Sequence, residues 1–121
     1  MSSVLKAAHF TFLFVIALSL FFTSAIAGSK LKYTLTPGQI QLIASLERQN
    51  LLQIDVNANK AYLIESTWYA MPPNMKKDVA AVLSIYCANK QKLDYYSITI
   101  YGYQSGRKLA KYSLYGGFTT Y

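Results

Sequence analysis

Apolar and polar positions change period along this chain, and each change marks a predicted element. Thr36-Pro37-Gly38-Gln39 reads as a helix start: Thr36 caps, Pro37 suits the first helical position and Gln39 can reach back to complete a capping box. Ile40, Ile43 and Leu46 follow at helical spacing, with Leu42 and Leu51 widening the stripe, which predicts a helix over 37–50. Leu52, Ile54 and Val56 then alternate with Gln53, Asp55 and Asn57, the period of a strand. Asn57-Ala58-Asn59-Lys60 is turn-rich and Ala61-Tyr62-Leu63-Ile64 resumes an extended pattern, so a short hairpin is expected here.

A second helix is predicted to start at Met71-Pro72-Pro73-Asn74 and to end near Asn89-Lys90. Met75, Val79, Val82, Leu83, Tyr86 and Cys87 share one face of it, and Ala80, Ala81, Ser84 and Ala88 are small enough for close approach to a sheet. The last third predicts a second hairpin turning at Gln104-Ser105-Gly106, with Gly106 left-handed and Tyr103 facing Arg107. That register gathers Tyr96, Ile98, Ile100, Ala110, Tyr112 and Leu114 on the core face. Tyr95, Ser97, Thr99, Tyr101, Tyr103, Arg107, Leu109, Lys111, Ser113 and Tyr115 fall on the other face. Gly116-Gly117 breaks the strand, and residues 118–121 suit a last extended segment.

The predicted order is α-β-β-α-β-β, an α+β domain in which two hairpins form one antiparallel sheet and both helices pack on one face. It resembles the order of small envelope domains of the PepSY and cystatin-like kinds, where a hairpin turns at Gly and returns through basic and apolar residues; no motif assigns either family. Residues 28–35 read as an extended lead.

Upstream, Lys6, the apolar run Phe12 to Phe22 and the small residues of Thr23-Ser24-Ala25-Ile26-Ala27 have the three parts of a cleavable signal peptide. The run of eleven is short of the about 20 apolar residues that span a bilayer. Residues 1–27 are therefore expected to be removed after Ala27, leaving residues 28–121 as one small exported domain, periplasmic or extracellular.

Composition changes this picture in three ways. The exported part keeps eleven Lys and Arg against five acids, a net charge of +6 that favours anionic partners. Cys87 is the single cysteine, so no internal disulfide can form, and its apolar surroundings predict burial rather than pairing between chains. His9 is the single histidine and leaves with the signal peptide, which removes the familiar serine and cysteine triads.

Candidate chemistry is accordingly sparse. Glu47, Asp55, Glu65, Asp78 and Asp94 are scattered, with no metal-site spacing; Glu65, near Trp68, is the one acid beside an aromatic cluster, where a raised pKa would suit a small carboxylate-dependent hydrolase. Trp68 with Tyr69, Met71, Pro72 and Pro73 is an aromatic and proline cluster that could line a pocket, and the tryptophan itself is expected to pack as a lid over the core. Lys76 with Lys77, and Lys90 with Lys92, read as solvated helix ends. The suggestive surface is the outer hairpin face, where Tyr95, Tyr101, Tyr103 and Tyr115 interleave with Arg107 and Lys111, and Lys108 lies close by. The sequence thus points to a non-enzymatic domain without catalytic residues, cofactor or metal, binding a protein or an anionic envelope polymer through that face. A secreted inhibitor or effector is the alternative.

Overall fold

The computed structural model describes residues 31–121 and the backbone of Thr23–Ser24. The predicted export segment and its cleavage point after Ala27 otherwise lie outside the described residues. Thr23–Ser24 forms β1, which pairs antiparallel with β2, Tyr33–Thr34, so two residues of the expected export segment make a small ladder with the lead.

Helix α1, Pro37–Arg48, starts as its sequence predicts: Gln39 N–H donates to Thr36 Oγ1 at 3.2 Å and Thr36 N–H donates to Gln39 Oε1 at 2.8 Å. It ends two residues early because Asn50 turns left-handed, with φ 59°, and Leu51 N–H bonds back to the Leu46 carbonyl. Strands β3 (Leu52–Asp55) and β4 (Lys60–Leu63) form the expected hairpin. Next comes a six-residue helix that the sequence pattern does not predict, α2, Glu65–Ala70, and then the long α3, Pro73–Gln91. β5 (Ser97–Gly102), β6 (Lys108–Ser113) and β7 (Gly117–Thr120) complete the chain. Among the described residues no helix is long and apolar enough to cross a membrane.

The expectation of an all-antiparallel sheet is corrected. β3-β4-β5-β6-β7 form one mixed five-stranded sheet in which β4 and β5 run parallel, Lys60 opposite Thr99 and Tyr62 opposite Tyr101. A long helix between two strands makes this possible, because a parallel pair needs a crossover of a dozen or more residues. One further backbone bond and two side chains then fasten the pair: Thr99 N–H donates to the Asn59 carbonyl at 2.9 Å, Asn59 Nδ2 to the Ser97 carbonyl at 2.9 Å, and Gln91 Nε2 from α3 to the Val56 carbonyl at 2.9 Å.

Hairpin β5–β6 follows the predicted register from Ser97 opposite Ser113 to Ile100 opposite Ala110. Beyond that a bulge sets Tyr101 opposite Lys108, and Gly102, not Tyr103, closes the loop on Arg107, with Gly106 left-handed as expected at φ 74°. The consequence is Leu109. Expected on the outer face, it is buried; the extra residue in the strand removes a large apolar side chain from water.

The core lies between the sheet and α3. From Val79 to Ala88 only Ala81 escapes full burial, which is more of the helix than a one-sided stripe would cover. One side of α3 rests on β5 and β6, and the β2 segment lies along it elsewhere. Asn89 makes that second contact by donating through Nδ2 to the Tyr33 carbonyl at 2.9 Å and accepting from Leu35 N–H at 3.0 Å. Tyr33 N–H also donates to the hydroxyl of buried Tyr96 at 2.9 Å, and Lys32 N–H to Asp94 Oδ1 at 3.0 Å. The lead is thus strapped across the helix by side chains. Trp68 and Met71 are buried as the lid reading expects, with Trp68 against Phe118 of β7. Cys87 is buried and free, and burial pushes its thiol up to about 11, so it stays a protonated core residue.

Candidate functional site

Alternation along the strands decides which side of the sheet meets solvent. Leu52, Ala61, Leu63, Ile98, Ile100 and Ala110 are buried on the helix side. The residues that alternate with them, Gln53, Asp55, Tyr62, Thr99, Tyr101 and Lys111, form the opposite face, exposed or half-buried, and no described helix rests on it.

Register places the side chains of this open face in rows. Asp55, Lys60, Thr99, Lys111 and Thr119 follow one another across β3 to β7. Gln53, Tyr62, Tyr101 and Lys108 form the adjoining row. The Tyr62 and Tyr101 rings stack with centroids 5.4 Å apart and planes 24° from parallel. The Lys60 ammonium lies 5.6 Å from the Tyr101 centroid, and the Lys108 ammonium 5.3 Å from that of Tyr121. The face therefore carries three lysines and three tyrosines. Its acid is Asp55 at the β3 edge, which is turned to its own loop by accepting from Ala58 N–H at 3.4 Å.

The six residues singled out in the sequence do not form one site. Tyr101 and Lys111 lie on the open face. Tyr103 and Arg107 sit in the β5–β6 loop at one end, while Tyr95 before β5 and Tyr115 after β6 project at the other, 64% and 92% exposed. A strand of six residues separates the two groups by about 20 Å. What sequence reasoning missed is Lys60, Tyr62 and Tyr121, since the parallel β4–β5 pair and the last strand bring them alongside Tyr101. Lys108, left at the turn, is drawn onto the face by the bulge.

Glu65 proves to be a structural latch. Its Oε1 accepts from Ser105 N–H at 2.8 Å, and its side chain packs on Gly102, where a Cβ would collide with it. The Ser105 hydrogen bonds, with Arg107 nearby, hold its carboxyl below the usual carboxylate range. The expected raised acid is thereby corrected: Glu65 stays ionised and pins the hairpin loop to α2. Lowered carboxyls at Glu65 and at Asp94, bonded to Tyr96 and Lys32, favour the fold at neutral pH, and that contribution fades as acid protonates them. Burial raises the Glu47 carboxyl, which works in the opposite sense.

Among the described residues no three acids, cysteines or histidines cluster as a metal site would require. A shallow cavity of about 460 Å³ along α1 is lined by Gly38, Gln41, Leu42, Ala44, Ser45 and Arg48; it holds one charged side chain and no group suited to act as a base. No known family model, curated protein or solved structure matches the chain.

Proposed function

We propose that this protein is an exported, non-enzymatic domain that binds a macromolecular partner through the open face of its sheet. One observation carries the reading: a stacked Tyr62–Tyr101 pair on a sheet face that no described helix covers, bracketed by Lys60, Lys108 and Lys111. Side chains held by a sheet are preordered, so little side-chain entropy is lost when a partner settles on them. Export is supported by the three-part segment at residues 1–27. The mass of the protein recovered outside the cytoplasm should correspond to a chain beginning at Gly28; recovery only of intact chain in the cytoplasm would contradict it.

The binding claim has its own test. A Tyr62→Ser, Tyr101→Ser, Lys111→Gln variant should keep the far-ultraviolet spectrum of the fold. Its capture of envelope material should fall by about tenfold or more, an apparent loss near 1.4 kcal/mol. A Tyr95→Ser, Tyr115→Ser variant should capture as the parent does. Unchanged capture by the first variant would remove the open face from consideration.

A further inference from the structure

Building on that reading of the open face, we infer that its partner is a linear acidic polysaccharide lying across the strands, held by lysine ammoniums and tyrosine hydroxyls. The charge on the face is one-sided: Lys60, Lys108 and Lys111 stand over it, and the facing acid, Asp55, accepts a hydrogen bond from its own turn. Neighbouring strands are about 4.8 Å apart, close to the length of one sugar unit, so a chain crossing them along one row meets the side chain of a new strand at each residue. Lys60 and Lys111, two strands apart, are then spaced by about 10 Å at the backbone, with the hydroxyl of Thr99 between them.

The arrangement of the tyrosines selects the polymer. Single-stranded nucleic acids are held mainly by bases stacking on free aromatic faces. One face of the Tyr101 ring is taken by Tyr62, and the Lys60 ammonium lies 5.6 Å from its centroid. A chain of hydroxyls and carboxylates needs no free ring face and can hydrogen-bond to the phenol rims. A bilayer surface would call for aliphatic or large aromatic side chains able to enter the acyl boundary. Among the described residues the large exposed aliphatic side chains are Ile40 and Leu93, which lie on α1 and in the loop after α3, off this face.

The test is a titration of protein purified from its native cells with polygalacturonate, alongside dextran, oligothymidylate and phosphatidylglycerol vesicles. Polygalacturonate should bind at low salt and be released near 1 M, where the screening length falls to about 3 Å. Lys60→Gln with Lys111→Gln should weaken binding by about tenfold or more, while Lys76→Gln with Lys77→Gln, in the first turns of α3, should leave it within about twofold. Equal losses in the two double variants would overturn the inference, since net charge alone would then account for binding. Equal binding of dextran, tighter binding of oligothymidylate, or binding to vesicles but not to polygalacturonate would overturn it too. Envelope capture that depends on Tyr62 and Tyr101 without any binding of polygalacturonate would overturn the polysaccharide and leave the binding face standing. Capture indifferent to the face overturns both.

Discussion

Trp68→Ala should cost about 3–5 kcal/mol, a large share of the about 5–15 kcal/mol that holds a domain of this size together. The residue sits in the short helix α2 at 2% exposure, its ring 6.5 Å from that of Phe118 and 5.5 Å from the Lys76 ammonium. It therefore joins three parts of the chain that sequence separates: the crossover after β4, the first turn of α3 and the last strand. Truncation would open a cavity between elements that cannot all close on it, because β7 is tied to β6 and α3 to the sheet. Since Trp68 is the one tryptophan, unfolding of the variant has to be followed by circular dichroism in urea. A loss under about 1 kcal/mol would put the ring outside the core.

Adjacent residues in β5 should behave unequally. Ile98→Ala is expected to cost about 2–5 kcal/mol and Thr99→Ala under about 1. Ile98 is 1% exposed on the helix side, under α3 and opposite Tyr112. Thr99 is half-buried on the open side between Lys60 and Lys111, where water can replace what its methyl group touches. Two urea titrations settle it. Equal costs would mean the faces of the sheet are reversed, and with them the position of the binding surface.

Much of this fold was legible because the signals concerned are local. Thr36 and Gln39 mark a helix start within four residues, and Ile98, Ile100, Ala110 and Tyr112 fix a hairpin register by period alone. What failed to show was long-range. Nothing in Ala61-Tyr62-Leu63 names a partner in Ile100-Tyr101-Gly102, and the pairing arises only after α3 has returned the chain parallel to β4. A long helix between two extended runs was the available sign, since such a unit favours a parallel pair. The bulge was hidden for another reason: strict alternation puts Leu109 outward, and it is the burial of that leucine which favours an extra residue in β6. Helix α2 escaped because six residues that include Ser66, Thr67, Trp68 and Tyr69, none a strong helix former, are too few to show helical periodicity.

The candidate site inherits the same division. Tyr101 and Lys111 were readable from one hairpin; Lys60 and Tyr62 required the parallel pair. Tyr103, Arg107, Tyr95 and Tyr115 share the composition of the face but not its position, because they lie beyond the ends of the ladder. Tyrosine and arginine in alternation near a turn describe a surface poorly until the register says which of them stand side by side.

The central claim is that the open face of the sheet receives the partner, and amide chemical-shift mapping during a polygalacturonate titration tests it most directly. Shifts should concentrate on residues 60–62, 99–101 and 108–111 and should reverse when salt is raised. Shifts centred on the outer side of α1 or the first turns of α3, with these strands unmoved, would contradict it.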